Sequence, residues 1–307
     1  MTRTLLAIEI GGTKLQIVVG DETGVIRERH RFTVDPTGGG AGIRQQLQPA
    51  LQALIPATKP LAIGVGFGGP VDWRIGRICC SHQVEGWDDF ELGQWLHSLT
   101  GLPAVVENDS NAATLGEALR GAGQGSDPVF YFNMGSGVGG GLVVNGKLFH
   151  GLKPGEAEFG HLRLDREGCT VESRCSGWAV DRRIRTAVKT APSSVLARLA
   201  AGQSSGEAKH LAEALRQGDA LARQIIDETA NDLAFALSHV VHLLHPQVIV
   251  MGGGLSLLGE PLRTAVEGQL RAHVMEAFAP GPPIRLSGLG EDAVPVGALL
   301  LAQQALT

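Results

Sequence analysis

The chain has 307 residues, a length that favours two domains, although it also fits one large domain. Hydrophobic residues make up 43%, enough for a buried core, and an aromatic content of only 5% predicts a core of Ala, Val, Leu and Ile. The formal net charge of −5 argues against sequence-independent binding to nucleic acid or to anionic lipid, since both require a basic surface.

No segment is predicted to cross a membrane or to direct export. The most apolar window, residues 233–251, contains three histidines and Pro246, so it is not the apolar run of about 20 residues that a membrane span needs. Glu9 and Lys14 stand where a signal peptide would have its apolar stretch. The four cysteines do not form a disulfide framework. We therefore expect a cytoplasmic protein with no membrane partner.

The first half of the chain alternates strands and helices, which is the pattern of a layered α/β domain. Two apolar runs around a glycine turn, at 5–10 and 15–19, predict a hairpin. Residues 43–55 have helical spacing, but Pro49 argues against one unbroken helix. The other elements predicted in this half are strands at 61–67 and 104–107 and helices at 92–100 and 111–120.

The second half follows a glycine-rich polar break at 121–127, where we place the boundary between domains 1–120 and 121–294. The Asn145-Gly146 pair between apolar runs is typical of a hairpin turn. The other predicted elements are strands at 128–134, 142–144 and 247–251, helices within 178–244 that end before Pro246, and a last helix at 295–305.

Three glycine clusters each follow an apolar strand, at residues 11–13, 135–137 and 252–254. Glycine lets the backbone approach a ligand closely, and successive N–H groups can hold phosphate oxygens. One cluster alone is more simply a tight hairpin or a helix entry, but three at strand ends indicate a nucleotide site. None fits the P-loop pattern, and the second leads into a strand rather than the helix of a dinucleotide motif.

Four segments, in this order and spacing, resemble the sugar kinases of the ROK (repressor, open reading frame, kinase) family within the actin-like ATPase superfamily. They are residues 8–14 (IEIGGTK), 107–113 (ENDSNAA), 133–141 (NMGSGVGGG) and 250–256 (VMGGGLS). The resemblance covers essentially the whole chain. It implies an α/β fold with two ribonuclease-H-like domains, and a cleft between them for ATP and a sugar. The last helix, 295–307, is expected to pack back on the first domain.

The resemblance makes Asp109 the general base for the attacking sugar hydroxyl. The alternative role for a strand-end Asp is the N-cap of the next helix, which Ser110 could also fill. Asn108 offers a donor and an acceptor to sugar hydroxyls, with a turn role as the alternative. His161 could instead be a buried structural histidine, and Glu172 a solvated surface residue. The implied sugar-binding residues are Gly69, Asn108, Asp109, Glu158, His161 and Glu172.

The resemblance implies ATP and Mg²⁺ as cofactors, bound at the glycine clusters. The implied residues are Glu9, Gly11, Gly12, Thr13, Lys14, Gly135, Ser136, Gly137, Gly253 and Gly254. Glu9 stands where the family usually has Asp, which moves the carboxylate by one methylene. Gln83 stands where the family often has Asn, and this weakens any inference about which sugar is bound.

Two further departures concern metal and nucleic acid. The family's usual zinc cluster has one His and three closely spaced Cys, but only Cys169 and Cys175 lie near His161. A structural zinc site needs four ligands, so we predict no metal site of this kind. Repressors of the family carry an N-terminal helix-turn-helix, whereas only residues 1–4 precede the first predicted strand. We therefore expect no nucleic-acid partner.

The sequence predicts an ATP-dependent hexokinase-type enzyme, most simply a glucokinase, that forms a homodimer. Kinases for fructose, N-acetylglucosamine or N-acetylmannosamine are alternatives within the same class. The alternative from another class is a non-catalytic sugar sensor that kept the fold. Asp109 and the absence of a DNA-binding segment argue against the sensor. Glu9 and the depleted cysteine cluster leave the sensor as an alternative.

Overall fold

The computed structural model describes residues 2–81 and 83–306 and forms two compact units. The first unit comprises Met1–Gly125, Gly141–Ala157 and Glu291–Thr307, and the second comprises Ser126–Gly140 and Glu158–Gly290. The domain division at 120/121 and 294/295 stays a prediction. The segments Gly141–Ala157 and Glu291–Thr307 belong to the first compact unit.

The strands of the described residues form two five-stranded sheets and one small hairpin. Their bounds are β1 (Thr4–Ile10), β2 (Leu15–Asp21), β3 (Ile26–Phe32), β4 (Ile63–Phe67), β5 (Val71–Asp72), β6 (Arg77–Ile78), β7 (Ala104–Asn108), β8 (Val129–Met134), β9 (Val138–Val144), β10 (Lys147–Leu148), β11 (Val248–Gly252) and β12 (Ile284–Leu286). The first sheet has the order β3-β2-β1-β4-β7, and the second has the order β10-β9-β8-β11-β12. Counted within each sheet, both orders are third, second, first, fourth, fifth.

The α-helices of the described residues lie between and after these strands. They are α1 (Gly39–Thr58), α2 (Leu92–Thr100), α3 (Asp109–Arg120), α4 (Val171–Cys175), α5 (Gly177–Thr190), α6 (Val195–Leu199), α7 (Leu211–Arg216), α8 (Ala220–Leu244), α9 (Glu260–Leu270) and α10 (Ala293–Gln304). Within the described ranges, none is long and apolar enough to serve as a membrane span.

The predicted elements are largely confirmed, but β3, the β5–β6 hairpin, α9 and β12 were not predicted, and α1 differs from its prediction. Strand β3 was not predicted, because its sequence IRERHRF is mostly charged and it lies at the edge of the sheet, where only one side pairs. Helix α1 continues through Pro49, against the prediction of a break. Pro49 is exposed, so the backbone carbonyl that loses its bond faces water, while Ile43, Leu47 and Leu51 anchor the opposite side of the helix.

Strands β1, β2 and β4 of the first sheet are buried on both faces. One face packs against α1 and α2 in a core that includes Ile8, Ile17 and Trp87. The other face packs against α10, where Ala298, Leu299 and Ala302 cover Leu5, Ala7 and Val18. Three glycines allow the helix to lie this close, because a Cβ at Gly64, Gly116 or Gly297 would lie 1.8, 2.5 or 1.7 Å from a backbone oxygen.

The second unit places three parallel strands, β8, β11 and β12, side by side. Its longest helix, α8, is capped by Asp219, whose carboxylate accepts a bond from the Ala222 N–H (2.9 Å). Phe159 packs between Phe130 and Phe132 of β8, with ring centroids 5.6 and 5.3 Å away. This packing fixes the start of the segment that carries Glu158 and His161.

Candidate active site

Asn108 ends β7 and caps helix α3. Its Oδ1 accepts bonds from the N–H groups of Ser110 (2.9 Å) and Asn111 (3.1 Å), and its Nδ2 donates to the Gly69 carbonyl (3.1 Å). The cap therefore belongs to Asn108 rather than to Asp109 or Ser110. These bonds leave one N–H of the Asn108 amide for a ligand, and they also engage the carbonyl of Gly69, a residue expected to bind the sugar.

Asp109 is the first residue of α3 and is half-buried. Ser110 Oγ donates to its Oδ1 (3.3 Å), and its Oδ2 lies near Gly68, where an added Cβ would be 3.4 Å away. The helix N-terminus stabilises negative charge at this position. The capping role is filled by Asn108, so Asp109 is not the helix cap, and its role as general base stays a prediction.

The first glycine turn joins β1 to β2 and is closed by a bond from the Gly11 N–H to the Lys14 carbonyl (2.7 Å). Gln83 lies directly over this turn, because a Cβ at Gly12 would be 1.8 Å from Gln83 Oε1. The Lys14 ammonium is half exposed, 4.0 Å from the Glu291 carboxylate. Thr13 is exposed. The position of Gln83 against this turn was not foreseen from the sequence.

Glu9 is a buried carboxylate beside the first turn, and it belongs to a chain of polar side chains. Gln16 Nε2 donates to Glu9 Oε2, and Arg29 donates to Gln16 Oε1 (2.8 Å) and also pairs with Asp292. Burial raises the pKa of the Glu9 carboxyl above its usual value, and the Gln16 hydrogen bond and the charges of Lys14 and Arg29 offset only part of that effect. The hairpin register pairs Glu9 with Gln16, so this contact was readable from the predicted hairpin.

The second glycine turn follows β8 and is closed by a bond from the Gly135 N–H to the Gly137 carbonyl (2.8 Å). Two side chains hold it: Asn133 Oδ1 accepts from the Gly139 N–H (2.8 Å), and Glu172 Oε2 accepts from the Val138 N–H (2.9 Å). Glu172 is therefore not a solvated surface residue. One of its carboxylate oxygens is engaged by the turn, and the other remains for a ligand.

The third cluster follows β11 and has the tightest backbone of the three. Gly253 has φ +81°, and a Cβ there would lie 2.4 Å from the Met134 nitrogen. Ser256 Oγ donates to the Gly253 carbonyl (2.7 Å). Only glycine fits this position, because it combines a left-handed conformation with backbone contact. Gly254 is unconstrained by comparison, since an added Cβ there meets no heavy atom within 4 Å.

Glu158 immediately precedes a single helical turn, Phe159–His161, and His161 is its last residue. Their side chains are 49% and 68% exposed, with His161 Nε2 3.9 Å from Glu158 Oε2. His161 is therefore not a buried structural histidine, and both side chains are available to a ligand.

The two cysteines expected near His161 have other contacts. Cys175 is buried with its Sγ 3.9 Å from the Thr229 carbonyl, and Cys169 Sγ lies 3.6 Å from Ser173 Oγ. Burial raises the pKa of the Cys175 thiol, which disfavours the thiolate that zinc requires. Residues 2–81 and 83–306 contain no cluster of three or more His, Cys, Asp or Glu able to hold a metal ion. The absence of zinc stays a prediction.

Comparison with known proteins places this arrangement in a family. The ROK family model matches residues 5–305. Curated relatives include the glucokinase of Halalkalibacterium halodurans, 31% identical over 98% of this chain and 96% of the relative, and the glucokinase of Thermotoga maritima, 31% identical over 98% and 97%.

Solved structures show the same similarity. A ROK family glucokinase from Streptomyces griseus, in complex with glucose and AMPPNP, is 32% identical with a TM-score of 0.85, covering 98% of this chain and 99% of that one. A ROK hexokinase from Thermus thermophilus is 27% identical with a TM-score of 0.81, covering 99% of both chains. The expected pair of ribonuclease-H-like domains is confirmed. The match over nearly the whole sequence shows that the chain belongs to the ROK family.

Proposed function

We propose that this protein is a sugar kinase that transfers the γ-phosphate of ATP to a hydroxyl of glucose. The observation that carries the proposal is the position of Asp109 at the start of α3, with its capping role taken by Asn108. The similarity to glucokinases at 31–32% identity, one of them described with glucose and AMPPNP, supports glucose and ATP as the substrates. Half-buried Asp109 is the first residue of α3 and is not the N-cap of that helix.

In this proposal Asp109 accepts the proton of the attacking hydroxyl, which makes the oxygen a better nucleophile. Asn108 orients the sugar with its remaining N–H. Glu158, His161 and the second oxygen of Glu172 bind further hydroxyls, since charged groups form strong hydrogen bonds to a polyol. Phosphoryl transfer needs little covalent help from the protein, so most of the rate acceleration comes from positioning and charge.

The glycine turns are proposed to bind the nucleotide. Backbone N–H groups of the first two turns donate to phosphate oxygens, and Lys14 and Ser136 add side-chain donors. The cluster at Gly253 and Gly254 lies against β8, and we propose that the adenosine binds beside Gly254, where an added Cβ would meet no heavy atom within 4 Å. The role of Gly253 is to let the backbone pass close to Met134.

The carboxylate of Glu9 fits a magnesium ion accompanying ATP, because Mg²⁺ prefers oxygen ligands and is usually bound through one or two carboxylates and the phosphates. The bond from Gln16 holds Glu9 in place, and a cation beside this buried carboxyl would favour its charged form. A bound Mg²⁺ would neutralise phosphate charge. We also propose that the protein acts in the cytoplasm as a homodimer, as expected from the sequence.

The test is a coupled assay of ADP release with ATP and a panel of sugars: glucose, fructose, mannose, N-acetylglucosamine and N-acetylmannosamine. We expect glucose to give the highest kcat/KM, and we expect release to require Mg²⁺. A higher kcat/KM with another sugar would replace glucose as the substrate. Sugar binding by calorimetry without ADP release for any of the five would favour the sensor.

A further inference from the structure

A short segment after β10, residues 149–157, runs along the first unit and is here called the strap. Three of its side chains bind residues far away in sequence. His150 Nε2 lies 2.6 Å from Glu107 Oε2, Lys153 Nζ donates to Asp72 Oδ2 (3.0 Å), and Glu156 Oε1 accepts from the Val71 N–H (2.7 Å). The strap thus contacts both the end of β7 and the β5–β6 hairpin.

Glu107 connects the strap to the start of α3. It is 2% exposed, and both of its carboxylate oxygens have partners. Oε1 accepts from the Asn108 N–H (2.9 Å) and from Asn111 Nδ2 (3.0 Å), while Oε2 contacts His150. A buried carboxylate is costly unless each oxygen is hydrogen-bonded, so the position of Glu107 depends on His150.

The His150 ring is held by two independent contacts. It stacks on Trp73 with a centroid distance of 4.1 Å and an interplanar angle of 18°, and its side chain is only 16% exposed. Stacking fixes the plane of the ring, and the bond to Glu107 fixes its direction within that plane. His150 therefore presents Nε2 at a defined point rather than as one rotamer among several.

We propose that His150 is a positioning residue for phosphoryl transfer, which acts through Glu107 to hold Asn108 and Asp109 in place. The proposal rests on the proposed function. When His150 is absent, Glu107 Oε2 loses its hydrogen-bond partner, and the carboxylate turns. That rotation weakens the bonds from Oε1 to Asn108 and Asn111, and the start of α3 then moves.

The test compares His150→Ala with His150→Gln. The glutamine amide can donate to Glu107 as Nε2 does, but it does not reproduce the ring. A displacement of about 1 Å at a catalytic group can cost about 100-fold, so we expect His150→Ala to lower kcat by roughly 10- to 100-fold. The KM for ATP should change by less than about threefold, because the nucleotide residues are untouched. His150→Gln should recover most of the loss in kcat.

Lys153→Met is the matched control, because it removes another strap contact without touching Glu107. It should keep kcat within about twofold of the wild type. An equal loss in Lys153→Met and His150→Ala would show that strap attachment in general matters, and this would overturn the proposal. A kcat of His150→Gln no higher than that of His150→Ala would overturn the proposal as well, since the loss of packing on Trp73 would then explain the fall in kcat.

Hydrogen exchange separates this proposal from the proposed function. His150→Ala should speed exchange of the Asn108, Ser110 and Asn111 amides and leave those of β1 unchanged, whether or not the protein phosphorylates a sugar. Unchanged exchange at these three amides would overturn the positioning role even in an active kinase. A wild type that releases no ADP with any sugar would overturn the proposed function, while the exchange result would still decide whether His150 positions the segment.

Discussion

The two glycine turns that follow the first strand of each sheet differ in the residue that stands two positions before the first glycine. In the first sheet this residue is Glu9, and in the second it is Asn133. Both reach across their hairpin: Glu9 accepts from the side chain of Gln16, and Asn133 accepts from the backbone of Gly139. The strand order around them is the same. The same backbone plan therefore carries a charge in one sheet and a neutral amide in the other.

The difference shows how one fold can acquire two chemical roles. A buried amide needs only hydrogen-bond partners, whereas a buried carboxylate also needs a compensating charge. Glu9 has that compensation nearby in Lys14 and Arg29, yet its pKa remains raised by burial. The first sheet also places Asp109 directly after its fifth strand, β7, where the second sheet has Ser287 after β12. Both acidic groups thus belong to the first sheet.

The largest effect is expected from Asp109→Asn, which tests whether the chemistry belongs to the first sheet. Loss of a general base lowers the rate by about 10²- to 10⁴-fold, and we expect such a fall in kcat with sugar binding retained. Coupled kinetics and calorimetry measure the two quantities. Asp227→Asn, an exposed position on α8, is the control and should leave both unchanged. Near-normal turnover by Asp109→Asn would remove Asp109 from the mechanism.

The next largest effect, on stability, is expected from replacing the glycine that follows the fourth strand of each sheet. This glycine is Gly68 after β4 in the first sheet and Gly253 after β11 in the second. Gly253→Ala should lower the free energy of unfolding by about 1–3 kcal/mol, because it forces a side chain into positive φ against Met134. Gly68→Ala should cost less stability, since its Cβ meets no atom closer than 3.4 Å. Urea denaturation measures both.

Gly254→Ala serves as the neighbouring control for Gly253→Ala. Its φ is not positive, and its Cβ would have open space, so its unfolding curve should overlay that of the wild type. Equal losses at 253 and 254 would mean that the backbone contact with Met134 does not limit this turn.

An effect of intermediate size is expected from Asn133→Asp, which gives the second turn a carboxylate at the position where the first turn has Glu9. The aspartate keeps the acceptor for the Gly139 N–H, so the turn should remain folded, but it adds negative charge where phosphate is proposed to bind. Like charges repel, and we expect the KM for ATP to rise by about tenfold, an energy of about 1.4 kcal/mol. Raising the ionic strength should reduce the effect. An unchanged KM would place the phosphates away from this turn.

The smallest effect on stability is expected from Glu9→Gln, and it appears in the pH dependence of the free energy of unfolding. The folded protein holds a proton on Glu9 at pH values where the unfolded chain, with the usual value of 4.5, has released it. The contribution of Glu9 to the free energy of unfolding therefore falls as the pH rises from 4.5 to the higher pKa of the folded protein. Glu9→Gln should be more stable than the wild type near neutral pH, and the difference should shrink below that interval.

Asn133→Ala is the reference for that experiment, because it removes a hydrogen bond without removing a titrating group. Thermal unfolding should show a loss for Asn133→Ala that does not vary with pH. A difference between Glu9→Gln and the wild type that is equally flat would show that Glu9 has no raised pKa.

The sequence was sufficient for those features that depend on neighbours along the chain. The first hairpin follows from two apolar runs around a glycine turn, and its register already places Glu9 opposite Gln16. The glycine clusters, the Asn-Gly turn and most helices follow from local patterns in the same way. Strand β3 was not predicted because most of its residues are charged. It is held in the sheet by pairing with β2 rather than by an apolar face.

Contacts between distant parts of the chain could not be read from local patterns. His150 and Glu107 are 43 positions apart, and nothing in the spacing of either indicates the other. The contact of Glu172 with the Val138 N–H, 34 positions away, is of the same kind. The resemblance to a family assigned Glu172 to the sugar, but only the folded chain shows that one oxygen is already engaged. The assignment of Asp109 as base came from the resemblance, and Asn108 as the cap came from the structure.

The position of α10 has a consequence for synthesis on the ribosome. The helix covers one face of the first sheet, yet it is made long after that sheet, since the whole second unit lies between them in the sequence. At about 5–20 residues per second, the nascent chain exposes Leu5, Ala7 and Val18 for roughly ten seconds or more before α10 emerges. A nascent-chain-binding chaperone would find its target on this apolar face, and slowing translation of the second unit should prolong its binding.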